Sequence, residues 1–251
     1  MKAITFDFWG TLIVDGPMAD ERYKVPRLEA FRRILAAAGR PVSMAALATS
    51  YDHSQTYLRQ IWNDNADVSV ERHVEAVLAG VGLDLLGALK SSVISTLVEA
   101  YAEPMQRVPP AVDPSAFAAL TALCAQGYRL AIISNVMRTP GRMLRQVLDG
   151  YGLLGFFTTT TFSDEVGIRK PAREIFALTL ATLATPAQAA VHVGDDLILD
   201  VMGAQHAGLR VVYISDTDQA GTLAVRPDRT IASLADLPDA ITELEQEPGR
   251  R

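Results

Sequence analysis

Short apolar runs alternate with longer stretches of helical period along most of this chain. Ala3–Phe6, Leu130–Ile133, Ala190–Val193 and Val211–Ile214 are dominated by Ile, Val and other apolar residues, which predicts strands buried on both faces of a parallel sheet. Each of the last three follows a stretch of helical period. Asp113 with Pro114 supplies a cap and first turn for a helix ending near Gly127, and Thr139-Pro140 and Thr185-Pro186 repeat that start signal. Gly208 closes the helix that follows Ala190–Val193. This βα alternation predicts an α/β fold, a doubly wound parallel sheet.

Between Gly16 and Val108 the pattern changes to amphipathic helices with no convincing strand. Arg27–Ala38 stops at Gly39, and Ser43 caps a second helix running to about Trp62. Ser69 opens a third that ends near Gly80, and Leu85–Ala102 reads as a fourth, ending before Pro104. The pattern therefore predicts a core from 1–15 and 109–251, with a helical unit over 16–108 inserted after the first strand. The Pro-rich stretch Pro104–Pro114 is the expected second hinge, and the tail Glu243–Arg251 is expected to fray.

Composition narrows the function classes. At 251 residues, 49% hydrophobic and 21% charged, the chain has enough material for a core domain and a smaller companion in a soluble protein. A net charge of −6 disfavours nucleic acid as a partner but leaves a local anion pocket open. No apolar run approaches the ~20 residues of a membrane span. The first strand begins too early to leave room for a signal peptide, and one cysteine allows no internal disulfide; together these predict a cytoplasmic protein. Cys124, in an Ala/Leu-rich helix, is expected as a buried small hydrophobe.

The candidate chemistry lies at the ends of the predicted strands. Asp7 follows the first strand, where open α/β sheets place ligands, and a carboxylate there can act as a nucleophile. Ser134-Asn135 ends the second, offering a hydroxyl and backbone N–H groups to an anionic oxygen. Lys170 precedes Pro171, which fixes the entry into the following helix, and a lysine there can keep Asp7 ionised. Gly194-Asp195-Asp196, with Asp200, gathers carboxylates that repel one another unless a cation or strong donors lie among them. Each element alone is also an ordinary turn. His192 reads as a packed core histidine, and His53, His73 and His206 lack zinc-ligand spacing. Arg22, Lys24 and Arg27 read as a solvated helix face, and Tyr51, Tyr57 and Trp62 as packing within the helical unit. The Trp and Leu content of that unit is compatible with a homodimer.

In this order and spacing the four elements resemble the haloacid dehalogenase superfamily, whose members have a Rossmann-like core, here with a helical cap of the C1 type. The resemblance implies Asp7 as nucleophile and Mg²⁺ ligand, with Trp9 giving only its backbone carbonyl to the metal. It implies that Ser134 and the Asn135 amide bind a phosphoryl group beside Trp9 and Gly10, and that Lys170 bridges that group to Asp7. Thr11 would orient Asp7, Asp195 would bind the metal, and Asp196 or Asp200 would complete its shell. The substrate would be a small phosphorylated molecule.

Trp9 departs from this pattern. The superfamily's phosphatases carry there an aspartate that protonates the leaving group, and an indole N–H is a donor that does not titrate. Loss of a positioned general acid/base costs ~10²–10⁴ in rate. L-2-haloacid dehalogenases carry an aromatic residue at this position and need no metal, yet they lack the Gly-Asp-Asp pattern. Three readings follow: a Mg²⁺-dependent phosphohydrolase weak on alkyl phosphates, a 2-haloacid dehalogenase-like hydrolase, or a catalytically weak phosphate-ligand-binding protein.

Overall fold

The computed structural model describes residues 1–15, 17–82, 89–215 and 226–246. Six parallel strands, β1 (Ala3–Phe6), β2 (Arg129–Ser134), β3 (Phe157–Phe162), β4 (Ala190–Gly194), β5 (Arg210–Ile214) and β6 (Arg229–Ile231), form one sheet in the order β3-β2-β1-β4-β5-β6. This is the doubly wound α/β fold expected. Phe6 lies opposite Ile132 on one side and Val193 on the other. The chain leaves β1 toward β2 and β3, then returns to its other flank for β4, so the topological switch point falls between β1 and β4.

Strand alternation accounts for the two layers. Ile4 and Phe6 of β1, with Leu130 and Ile132 of β2, face one apolar cluster, while Ala3, Ala131 and Ile133 face the other. Helices Ala116–Ala125, Gly141–Gly150 and Leu237–Gln246 supply residues to the first cluster, and Arg173–Thr182 to the second. The strands β3 and β6 carry no strong sequence signal. β3 reads Phe-Thr-Thr-Thr-Thr-Phe, β-branched but polar, and both occupy sheet edges, where partial exposure relaxes the demand for apolar residues.

Helices α1 (Lys24–Ala37), α2 (Met44–Asn63), α3 (Val70–Gly80) and α4 (Ser91–Ala102) bury their apolar faces against one another, with Leu28, Phe31, Leu47, Tyr51, Val74 and Leu97 at the centre. Ser43 caps α2 as expected: its Oγ accepts from the Ala46 N–H at 3.1 Å. The start of the predicted Leu85–Ala102 helix falls on 83–88, outside the described residues.

Three expectations are corrected. Pro186 opens only a short 3-10 turn, Ala187–Ala189, and the helix before β4 is Arg173–Thr182. Cys124 is exposed, because Ala-rich helices leave small residues on both faces. Glu243–Gln246 continues a helix anchored by buried Leu244, and the remainder of the expected frayed tail, 247–251, lies outside the described residues.

Candidate active site

Three strand ends and one loop converge at the switch point. Asp7 follows β1, Ser134 closes β2, Asp195 follows β4, and Lys170 reaches in from the loop ahead of Arg173–Thr182. Asp7, Lys170 and Asp195 border a cavity of about 110 Å³ lined also by Trp9, Asn135, Arg169 and Asp200, among others, while Ser134, which precedes Asn135, is buried and outside the lining.

Lys170 is the electrostatic centre. Its Nζ donates to Asp7 Oδ1 at 2.7 Å and to Asp200 Oδ1 at 2.5 Å. Burial works against this charge, but Asp200 and Asp7 outweigh it and hold the ammonium above its ordinary pKa. Asp200 Oδ2 accepts from the Asp196 N–H at 3.0 Å, and Oδ1 lies 3.0 Å from His192 Nε2. The fully buried His192 ring also meets Thr5 Oγ1 through Nδ1, at 2.8 Å. Burial lowers its pKa, so a neutral ring can donate from Nε2 to Asp200 and accept the Thr5 hydroxyl at Nδ1. His192 is thus a core histidine, as expected, and it also holds Asp200.

Carboxylates outnumber cations here. Asp7, Asp195 and Asp200 each offer an oxygen within 4.8 Å of the others. Burial pushes Asp7 up to about 6 despite the attraction of Lys170, with Asp200 adding repulsion. Burial and then the Asp7 and Asp200 charges push Asp195 up to about 7. Burial opposes the charge on Asp200 too, but Lys170 and His192 hold it below the usual carboxylate range. Three hard oxygen donors, two of them electrostatically strained, fit a divalent cation such as Mg²⁺.

Local backbone makes room for these carboxylates. Gly10 has φ +70°, and a Cβ there would lie 2.1 Å from Asp195 Oδ2. A Cβ on Gly194 would lie 2.3 Å from Asp200 Cγ. After β4 the chain enters a wide helical turn, Leu197–Met202, in which the Val201 N–H reaches back to the Asp196 carbonyl at 3.1 Å. Asp200 is carried inward by this turn.

The sequence-predicted residues are not all brought together. Asp196, expected among the ligands, is exposed and outside the three-carboxylate group, since its Oδ1 caps the turn by accepting from the Ile198 and Leu199 N–H groups at 2.8 Å each. The Thr11 hydroxyl donates to Asp195 Oδ1 at 3.4 Å, whereas the expected partner was Asp7. Ser134 is buried, its hydroxyl on the Asn135 carbonyl at 3.3 Å. The Asn135 side chain clamps the Lys170 backbone, donating to its carbonyl at 3.0 Å and accepting from its N–H at 2.8 Å. Trp9 is 3% exposed and packs edge-on against Phe8 at 5.1 Å, and its Nε1–H has no hydrogen-bond partner among the described residues.

Two further buried clusters were not foreseen. Arg169 pairs with Asp67 at 2.6 Å and stacks over Trp62 at 4.4 Å, which ties the loop after α2 to the loop that carries Lys170. Arg27, expected on a solvated face, is fully buried: it pairs with Asp20 at 3.0 Å and donates to Tyr51, Thr139 and the Tyr101 carbonyl. Arg138, from the loop after β2, donates into the same helices, to Ser54, Gln55, the Tyr51 carbonyl and the Tyr101 hydroxyl. The available signal was position, since Arg27 occupies the apolar stripe of Leu28, Phe31 and Leu35. Of the aromatics expected to pack the helical unit, Tyr51 is buried and Trp62 half-buried, but Tyr57 is exposed. Arg22 and Lys24 lie near the surface, paired with Asp15 and Asp52.

A doubly wound fold with a carboxylate at the switch point, a lysine against it and further carboxylates after β4 is the arrangement of a class of α/β hydrolase. Residues 1–208 match the model of the haloacid dehalogenase-like hydrolases, and the chain belongs to that family. Among curated proteins it is 34% identical to ribulose-1,5-bisphosphate 5-phosphatase of Halopiger xanaduensis over 57% of this chain and 60% of the relative. It is 30% identical to phosphoserine phosphatase of Thermus thermophilus over 56% of this chain and 55% of that one, so the chain spans little more than half the length of these relatives. Glyceraldehyde 3-phosphate phosphatase of Methanopyrus kandleri aligns over 85% of this chain and 84% of its own length at 26% identity. Two solved structures at 25% identity cover nearly the whole chain: a HAD phosphatase from Thermococcus onnurineus, TM-score 0.64 over 96% of this chain and 98% of that one, and a 2-haloacid dehalogenase from Pseudomonas syringae, TM-score 0.67 over 97% and 99%.

Proposed function

We propose that this protein is a Mg²⁺-dependent phosphohydrolase acting on a small phosphorylated molecule, with Asp7 as nucleophile. The observation that carries the reading is the three-carboxylate group around Lys170, since three carboxylates against one ammonium repel an anionic substrate unless a further cation is present. The phosphatase names of the curated relatives support the substrate class.

In this reading Asp7, Asp195 and Asp200 would hold Mg²⁺, with the Trp9 carbonyl a further donor, and the ion would supply neutralisation of phosphoryl charge. Lys170 keeps Asp7 ionised and meets the phosphoryl oxygens. Ser134 and the Asn135 N–H cradle the same oxygens, and Asn135 fixes Lys170 through its backbone. Asp7 attacks phosphorus, the P–O bond to the leaving group breaks, and water then hydrolyses the aspartyl phosphate. Trp9 offers no proton to the leaving oxygen, so aryl and acyl phosphates are turned over best and alkyl phosphates weakly. Residues 16–108 act as the cap over this site.

The test is hydrolysis of p-nitrophenyl phosphate with added Mg²⁺, which should be abolished by EDTA and by Asp7→Asn. Trp9 favours one other reading, a dehalogenase-like displacement at carbon, because a halide leaves without a proton. Chloride release from 2-chloropropionate that persists in EDTA would establish that reading and overturn the first.

A further inference from the structure

A second cavity, about 190 Å³, adjoins the first, and Met137 lines both. Asp20, Glu21, Gln55, Arg59 and Arg138 supply its other polar lining, so helix α2 faces the loop after β2 across it. The charges in this wall do not cancel. Asp20 is taken by Arg27, at 3.0 Å and 3.1 Å, and by the Thr139 hydroxyl. Arg138 is 2% exposed, and its four hydrogen bonds all go to uncharged acceptors, Ser54, Gln55, Tyr101 and the Tyr51 carbonyl. Its Nε–H has no partner, and no carboxylate pairs with it among the described residues. Arg59, on the exposed face of α2, likewise has no ion-pair partner among the described residues, and Glu21 at the rim is the one remaining anion. Two cations against one carboxylate leave the cavity in need of negative charge. A buried guanidinium with only neutral partners is costly unless an anion reaches it.

We infer that this cavity is the subsite for the leaving group, and that Arg59 and Arg138 select phosphate monoesters carrying a second anion, a carboxylate or another phosphate, a few bonds from the ester oxygen. The inference rests on the phosphohydrolase reading for the first cavity and names the substrate class of that site. The volume is somewhat larger than the ~150 Å³ that holds a benzene ring, so it admits a small-molecule leaving group. Gln55, held by Arg138 at 2.9 Å, is placed to meet a hydroxyl or carbonyl of the same group.

Binding separates this inference from the hydrolase reading. In Asp7→Asn with Mg²⁺, calorimetry should give a Kd for 2-phosphoglycolate about tenfold or more below that for ethyl phosphate, which lacks only the carboxylate. Ethane-1,2-diyl bisphosphate reads the second-phosphate case, and phosphoethanolamine reads the opposite charge. Arg59→Gln, at an exposed position, should shrink the ratio between 2-phosphoglycolate and ethyl phosphate by about tenfold. Arg40→Gln removes an equal charge from the exposed turn after α1 and should leave the ratio at its starting value. Equal affinities for the four esters, a preference for phosphoethanolamine, or an unchanged ratio in Arg59→Gln would each overturn the subsite. Absence of p-nitrophenyl phosphate turnover by the wild type would instead overturn the hydrolase reading.

Discussion

Two buried charge clusters flank Met137, and their imbalances have opposite sign. Around Lys170 three carboxylates face one ammonium, whereas around Asp20 two guanidinium groups, Arg27 and Arg138, face one carboxylate. A third pair, Arg169 with Asp67, balances one against one. The balanced pair closes on itself: Asp67 also receives Ser163 and Trp62, and Arg169 reaches the Val136 carbonyl. The unbalanced clusters cannot close in this way: each borders a cavity with charge left over, whereas Arg169, which also lines the smaller cavity, brings its own counter-ion. Buried charge left over after internal pairing thus sets the two unbalanced clusters apart from a pair that is neutralised within itself.

The comparison is broken most severely at its negative end. Asp7→Asn removes the proposed nucleophile together with one excess charge, and phosphatase turnover should fall by on the order of 10⁴-fold or more while the melting temperature holds or rises. Trp9→Asp adds a fourth carboxylate and a proton donor, so turnover of alkyl phosphates with Mg²⁺ should rise by ~10²–10⁴ in the folded fraction. The same change removes a buried aromatic at a cost of about 3–5 kcal/mol, which a denaturation curve would read. Unchanged alkyl phosphate turnover in folded Trp9→Asp would count against the assigned role of that position.

At the positive end, Asp20→Asn strands Arg27 without its carboxylate and should lower stability by about 3–5 kcal/mol, as Asp67→Asn should do for Arg169. Chloride or phosphate should recover part of the loss in Asp20→Asn and less in Asp67→Asn, because Arg169 lines a cavity where excess carboxylates already repel an anion. A smaller effect comes from His73, buried against the Tyr101 ring with both ring nitrogens unpartnered. Burial pushes it down to about 4 from an ordinary 6.5, so the unfolded chain binds the extra proton between those values. Stability should therefore be undiminished above pH 6.5 and fall as pH drops toward 4, by up to about 3 kcal/mol, and His73→Phe should flatten that slope.

The sequence carried the negative cluster well and the positive one poorly. Asp7, Lys170, Asp195 and Asp200 stand beside apolar strands or a Pro-marked helix start, and such boundaries are legible as changes of period. Arg27 and Arg138 offer no such boundary: a charged residue in a helix or loop is normally solvated, and their burial depends on partners far along the chain. The sheet shows the same division. The strands β1, β2, β4 and β5 are read from apolar runs, while the edge strands β3 and β6 are held by pairing more than by burial. Thr11 and Asp196 were assigned by position in a motif, but hydrogen-bond partners are set by a few ångströms of backbone path that spacing does not specify.

The wide turn after β4 makes the length of this segment a functional variable. Within a helical turn one residue corresponds to about 100° of rotation about the axis. Deleting a single residue between Leu197 and Leu199 would let the turn relax to ordinary helical pitch and swing the Asp200 carboxylate away from Lys170 without altering any side chain at the site. Homologues that differ in loop length here would then differ in whether the third carboxylate arrives at all, and chain length in this one turn would divide members of the family that hold a cation from those that do not.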